Sequence, residues 1–142
     1  MAKLKLFLDT NIIIDLLADR KPFSNSAYTI FKEAKLNKWK LYTSSNSIIT
    51  SYYILEAQIK FKEANFAIET VLKRLEIQDL NKNAIYQALK SKTEDLEDAC
   101  QIECAKKIGG IDYIITRDKK GFKHSSIEVI HPDELILLYV KD

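Results

Sequence analysis

The sequence predicts an α/β protein in which a parallel sheet of about five strands lies between two helical layers, forming a three-layer α/β/α sandwich. Two observations support this fold class. Short strand-like runs alternate with longer helical segments, and only three glycines and two prolines occur among the 142 residues, so regular structure joined by short connections is expected. Because no repeat, low-complexity tract or linker divides the chain, we expect a single domain spanning residues 1–142.

Local sequence patterns predict each element in turn. Apolar runs predict five strands, at residues 4–8, 40–43, 75–77, 113–115 and 127–130. Helical patterns occupy residues 11–18, 22–36, 45–60, 63–72, 82–90, 96–107 and 132–140. The third and fourth of these helices are expected to be nearly continuous. Terminal signals support two helices, since Gly109 and Gly110 follow the sixth and Pro132 lies in the first turn of the seventh.

The composition restricts the class of protein. The net charge of +2 is weak evidence about partners, and the apolar runs are far too short to cross a bilayer, so no membrane partner is expected. No signal-peptide core follows the amino terminus, which makes the cytoplasm the expected compartment. Cys100 and Cys104 are expected to be buried free thiols, and His124 and His131 to be surface or packing residues, because neither pair has metal-ligand spacing.

Acidic residues follow two of the predicted strands and begin one helix. Asp9 comes directly after the first strand and Asp118 after the fourth, while Asp95 and Asp98 open the sixth helix. Ligands of parallel sheets bind beyond the carboxyl ends of the strands, so these carboxylates are candidates for one metal site. Simpler roles stay open, because Asp9 or Asp95 could cap a helix and Asp118 could form an Asx-turn.

Basic residues lie beside the last of these acids. Arg117, Lys119 and Lys120 flank Asp118, and Lys123 follows shortly after. Lysines that hold phosphates next to carboxylates that hold metal would suit a phosphodiester substrate. A solvated charged loop remains the simpler explanation for any one of these side chains.

Three motifs occur in a fixed order along the chain. They are Leu8-Asp9-Thr10-Asn11-Ile12-Ile13, then Leu96-Glu97-Asp98-Ala99, then Ile114-Ile115-Thr116-Arg117-Asp118. In this order and at these spacings they are similar to the motifs of PIN-domain proteins. The resemblance runs nearly end to end.

The resemblance implies both a cofactor and a reaction. PIN domains hold Mg²⁺ or Mn²⁺ with carboxylates and use water to attack a phosphodiester, and some are ribonuclease toxins of bacterial toxin–antitoxin pairs. RNA is therefore the implied substrate and an antitoxin protein a candidate partner. The implied catalytic and metal-binding carboxylates are Asp9, Asp98 and Asp118, with Asp95 as a further ligand. The implied supporting residues are Asn11 and Thr116, and the candidate substrate-binding residues are Arg117, Lys119 and Lys120.

One position departs from the family pattern. The family usually has a glutamate early in the helix after the second strand, where this chain has Thr50. Glu56 comes six residues later and would point to the opposite side of the helix. The alternative is thus a non-catalytic PIN-like module that binds RNA or a protein. A haloacid-dehalogenase-type phosphatase or a response-regulator receiver would each need a second acid near Asp9, which is missing.

Aromatic residues leave the oligomeric state open. Tyr28, Ile30 and Phe31 are available for the inner face of the second helix. Phe61 and Phe66 could contribute to a homodimer face, although a core position is the favoured prediction for them.

Overall fold

The computed structural model describes residues 3–140, so the predicted domain boundaries at residues 1 and 142 lie outside the described residues. The strands are β1 (Lys5–Leu8), β2 (Lys40–Ser44), β3 (Glu76–Gln78), β4 (Tyr113–Ile115) and β5 (Val129–Ile130). The helices are α1 (Thr10–Leu17), α2 (Ser24–Asn37), α3 (Ser45–Glu56), α4 (Phe61–Leu72), α5 (Lys82–Lys90), α6 (Leu96–Ile108) and α7 (Pro132–Tyr139). A short 3-10 helix, Lys119–Phe122, follows β4.

The five strands form one parallel sheet in the order β3-β2-β1-β4-β5. The first half of the chain builds the sheet outward from β1 on one side, and the second half builds it outward on the other side. The boundary between β1 and β4 is therefore a topological switch point, where loops diverge and leave a crevice beyond the carboxyl ends. The predicted fold class is confirmed.

Successive side chains of the central strands face opposite layers. Leu6 and Leu8 pack in the larger core, which includes buried apolar residues from α1, α2, α3, α4 and α7. Phe7 and Ile114 pack on the other face against residues of α6 and the 3-10 helix. These two apolar cores fix β1 from both sides, so its carboxyl end has a defined position.

Several expectations for individual elements need correction. Helices α3 and α4 are separate, since α3 ends at Glu56 and α4 begins at Phe61. Tyr28, Phe61 and Phe66 are 61%, 65% and 71% exposed, so their predicted core positions are wrong. Tyr28 and Phe66 lie off the buried stripes of their helices, and Phe61 is the first residue of α4, a turn before its stripe. These stripes consist of Ala27, Ile30, Phe31 and Ala34 on α2, and of Ala64, Ile68 and Val71 on α4.

The expectation for the two cysteines is met. Cys100 and Cys104 are buried free thiols on α6, one turn apart. Burial raises the pKa of Cys104 to about 11, so this thiol stays protonated and unreactive at neutral pH. Within residues 3–140 no helix combines the length and apolar character that a bilayer crossing requires.

Candidate active site

The predicted acids gather at the switch point between β1 and β4. Asp9 follows β1 directly and Asp118 lies three residues after β4. Since α6 leads back into β4, its first turn, with Asp98, lies at the same edge of the sheet. The sheet topology thus brings together residues that are more than 100 positions apart in the sequence.

Asp9 is buried and fully engaged by hydrogen bonds. Its Oδ1 accepts from the Thr10 backbone N–H at 2.8 Å and from Gln101 Nε2 at 3.1 Å, and Asp9 is the N-cap of α1. Its Oδ2 accepts from Thr116 Oγ1 at 2.8 Å and from Asn11 Nδ2 at 3.4 Å. Burial raises the pKa of Asp9, while the hydrogen bonds from Thr116 and Gln101 oppose that shift. The carboxylate is therefore held in one orientation.

Gln101 connects three elements beneath this carboxylate. Its Nε2 also donates to Ser47 Oγ at 2.7 Å, and its Oε1 accepts from Ser44 Oγ. Ser47 in turn lies 2.8 Å from Thr10 Oγ1, so α6, α3 and α1 share one buried polar network. Sequence reasoning missed Gln101, although its position three residues after Asp98 places both on one face of α6.

Asp95, Asp98 and Asp118 line one open pocket of about 360 Å³. Gly121 of the 3-10 helix also lines this pocket. The carboxylates of Asp98 and Asp118 both approach the position that a Cβ on Gly121 would take. Asp95 uses Oδ1 to cap α6, accepting from the Asp98 backbone N–H at 3.0 Å, so its simpler role as an N-cap is present in the structure.

Negative charge is concentrated in this pocket. The pKa of Asp98 is raised to about 7, first by burial and then by the charges of Asp9, Asp95, Asp118 and Glu97. Without a cation, Asp98 therefore carries only part of its charge at neutral pH. Repulsion of this kind is relieved by a bound cation or by protonation.

Glu97 is a further acid that the sequence reasoning did not select. Burial and then the Asp9 charge raise its pKa, and Asn46 Nδ2 of α3 donates to its Oε2 at 3.3 Å. Thr50, one turn beyond Asn46, is half-buried, and Glu56 at the end of α3 is exposed. Glu97 of α6 thus contacts α3 one helical turn from the neutral Thr50.

The basic residues beside Asp118 have different positions. Arg117 Nε donates to Asp15 Oδ2 at 2.6 Å, Arg117 Nη2 donates to Asp15 Oδ1 at 3.1 Å, and its guanidinium stacks over Phe23. Asp15 is buried, so Arg117 is committed to this pair, which argues against the predicted role in substrate binding. Lys119 pairs with Glu134 at 2.8 Å, whereas Lys120 lines the acidic pocket.

The supporting residues Asn11 and Thr116 join the two sides of the switch point. Thr116 Oγ1 accepts from the Asp118 backbone N–H at 3.1 Å and from Asn11 Nδ2 at 3.3 Å, while donating to Asp9. Asn11 Oδ1 accepts from the Arg117 backbone N–H at 3.4 Å. These contacts fix the turn that carries Asp118 relative to β1.

The donor set suits a hard divalent cation with an incomplete protein shell. Among residues 3–140, no three acidic, histidine or cysteine side chains form a group that could hold a metal ion. Asp98 and Asp118 nevertheless converge on Gly121, and neither carboxylate accepts a hydrogen bond from any residue that the structure describes. Mg²⁺ in enzymes commonly takes one or two carboxylates and keeps several waters, which this pair fits.

Fold and site together define a class: a parallel α/β domain with an acid-lined pocket at its switch point. The PIN-domain family model matches residues 5–120, so the chain belongs to the PIN-domain family. It is 33% identical over 135 residues to Ribonuclease VapC1 of Aquifex aeolicus (strain VF5), an alignment that covers 92% of each protein.

Solved structures share the fold. VapBC2 of Rickettsia felis, bound to a DNA fragment from its promoter, has a TM-score of 0.70 at 17% identity, with 90% of this chain and 98% of that chain covered. VapC20 of Mycobacterium tuberculosis, described as a toxin that cleaves the sarcin-ricin loop, has a TM-score of 0.64 at 17% identity, with 87% and 98% covered.

Proposed function

We propose that this protein is a divalent-metal-dependent endoribonuclease and the toxin of a toxin–antitoxin pair. The main support is the pocket in which the Asp98 and Asp118 carboxylates, neither of which accepts a hydrogen bond from residues 3–140, meet beside the anchored Asp9. The relative at 33% identity is named a ribonuclease, which agrees with this choice of activity.

The residues divide the chemistry between them. Asp98 and Asp118 would hold Mg²⁺ or Mn²⁺, and Asp9 would supply a fixed third carboxylate whose orientation Gln101 and Thr116 maintain. When bound, the cation supplies Lewis-acid stabilisation of charge at the attacked phosphate and lowers the pKa of water. In the hydrolysis, a water oxygen bonds to phosphorus while the bond to the leaving ribose oxygen breaks.

A basic rim around the pocket supports RNA as the substrate. The acids share the lining of this pocket with His124 and with the lysines Lys92, Lys120 and Lys123. Their ammonium groups are exposed and suit the phosphates on either side of the scissile bond, because phosphate contacts provide affinity without reading the sequence. Lys120 therefore keeps its predicted role in substrate binding in this proposal, whereas Lys119 forms an ion pair with Glu134.

An apolar groove supports a protein partner. Exposed Tyr28, Leu36 and Phe66 line a groove of about 580 Å³ between α2 and α4, with Lys32, Lys35 and Arg74 among its lining residues. Exposed apolar patches of this kind commonly mark protein-binding surfaces. Since structural neighbours include VapBC complexes, the proposed occupant is an antitoxin segment with apolar and acidic side chains.

Cleavage of a labelled RNA tests the enzymatic proposal. We expect cleavage with Mn²⁺ or Mg²⁺, none after chelation, and a loss of at least about 100-fold in Asp98→Asn, since residues that only orient ligands already contribute 10–100-fold. Asp19→Asn is the matched control, because Asp19 is exposed, outside the pocket, and in a left-handed conformation that asparagine tolerates. Equal rates in Asp98→Asn and Asp19→Asn would remove the catalytic assignment. A wild type that binds RNA but never cleaves it would favour the non-catalytic module.

Co-purification tests the partner proposal. The product of the neighbouring reading frame, if it is a small DNA-binding protein, is expected to co-purify with the wild type and to be lost from Phe66→Ser. Phe61→Ser is the matched control, since Phe61 is similarly exposed but does not line the groove. Retention by Phe66→Ser would exclude the groove as the binding surface.

A further inference from the structure

Two acidic side chains approach the same glycine. A Cβ built on Gly121 would overlap Asp98 Oδ2 and would lie 3.1 Å from Asp118 Oδ2. The missing side chain of Gly121 therefore leaves a gap that both carboxylates face. This gap opens into the acidic pocket, since all three residues line it.

The backbone gives no other reason for glycine at this position. Gly109 and Gly110 have φ values of +77° and +72°, a region that favours glycine, whereas the φ of Gly121 lies outside the left-handed region. An alanine could therefore adopt the backbone conformation of Gly121. The Cβ of that alanine would, however, overlap the Asp98 carboxylate in its present position.

We propose that Gly121 is a positioning residue: its missing Cβ keeps open the gap in which Asp98 and Asp118 bind one divalent cation together. This inference rests on the proposed metal-dependent function. It adds to that function a residue, Gly121, that supplies no ligand atom to the metal. Neither carboxylate accepts a protein hydrogen bond within residues 3–140, so the backbone at Gly121 and the ligand decide where they point.

A methyl group at residue 121 has a specific expected effect. The atom that it meets, Asp98 Oδ2, is the end of a side chain that can rotate, so the fold can accept the change. After that rotation, Asp98 no longer faces Asp118 across the gap. We expect Gly121→Ala to weaken Mn²⁺ binding about tenfold, the lower end of the range for residues that orient metal ligands, with little change in Tm.

Gly109→Ala is the matched control. A Cβ at Gly109 meets no atom within 4 Å, but the positive φ is strained for alanine. This variant should lower Tm and leave Mn²⁺ affinity unchanged, the reverse of the pattern expected for Gly121→Ala. The pair separates loss of stability from loss of the metal position.

The decisive experiment is a double-mutant cycle with Mn²⁺, measured by calorimetric titration. If Gly121 acts by positioning Asp98, adding Gly121→Ala to Asp98→Ala should change the remaining affinity less than twofold, because the clashing oxygen is gone. An equal loss in both backgrounds, or unchanged affinity in Gly121→Ala alone, would overturn the role of Gly121 while leaving the ribonuclease proposal intact. A wild type that binds no Mn²⁺ would overturn both.

Discussion

The two halves of the acidic site are built in opposite ways. In what we call the anchored half, Asp9 is 5% exposed and accepts four hydrogen bonds from its surroundings. In the open half, Asp98 and Asp118 face Gly121 and the pocket, with no hydrogen bond to either carboxylate from any described residue. The difference separates one carboxylate that is fixed in its orientation from two that are available to the cation proposed above.

The largest expected contrast is in stability. Asp9→Ala leaves buried donors of the anchored half without an acceptor, which should lower the free energy of unfolding by about 3 kcal/mol, given about 1–3 kcal/mol for each unsatisfied group. Asp98→Ala should leave it unchanged or raise it at pH 8, because it removes a carboxylate repelled by its neighbours. Urea unfolding of the metal-free variants measures both. Equal losses in the two variants would remove the distinction between the halves.

A second contrast concerns Gln101. Gln101→Leu removes the donor to Asp9 and takes one hydrogen-bond partner from each of Ser44 and Ser47, so we expect a loss of about 2 kcal/mol in the free energy of unfolding. Because Asp9 also loses its fixed orientation, Mn²⁺ affinity should fall about tenfold. Urea unfolding and calorimetry give the two quantities separately.

Gln101→Glu provides the conservative control for that prediction. The shape is kept, but an ionised glutamate cannot donate to Asp9, whereas a protonated one can. The free energy of unfolding of this variant, relative to that of the wild type, should therefore be higher at pH 5 than at pH 8. A deficit that does not depend on pH would mean that Gln101 contributes by packing alone.

The open half should also make metal-free stability depend on pH. The pKa of Asp98 rises from its ordinary value of 3.8 to about 7, so in this interval the folded state binds more protons than the unfolded state. The stabilising contribution from protonation of Asp98 is complete below about pH 4 and is lost as the pH rises through about 7. Asp98→Asn should therefore gain stability relative to the wild type between pH 5 and pH 8, as measured by urea unfolding. The same difference at both pH values would contradict this prediction.

The smallest expected effects lie on the rim. Lys120→Ala should weaken RNA binding severalfold and reduce its salt dependence by about one released counterion, because Lys120 lines the pocket. Lys119→Ala should leave RNA binding unchanged, since Lys119 pairs with Glu134. Fluorescence titrations at several salt concentrations distinguish the two. Equal effects of the two substitutions would mean that lysines at the pocket bind RNA no better than lysines outside it.

The sequence predicted the elements that depend on local pattern. The strands and helices follow from apolar periodicity, and the strand-end position of Asp9 follows directly from the run that precedes it. The family was predicted by the three motifs together rather than by any single one. Phe61 and Phe66 were misplaced because an aromatic residue predicts burial only when its helix turns it toward a partner.

The division between the two halves was not predictable from the sequence. It depends on contacts between residues far apart in the chain, such as Gln101 with Asp9 and Gly121 with Asp98. A glutamine in a helix and a glycine in a polar loop have common local explanations, so neither draws attention before the fold brings it to the site. The pairing of Arg117 with Asp15 was unforeseen for the same reason, because the two residues lie 102 positions apart.

Anomalous diffraction from crystals soaked in Mn²⁺ tests the central claim most directly. The open half should hold a Mn²⁺ peak between the Asp98 and Asp118 carboxylates, beside Gly121, with Gln101 and Thr116 still donating to Asp9. In Gly121→Ala crystals that peak should weaken or vanish while the hydrogen bonds of Asp9 persist. A Mn²⁺ peak bound elsewhere, or one that requires Asp9 to give up its hydrogen bonds to Gln101 and Thr116, would contradict the division into an anchored and an open half.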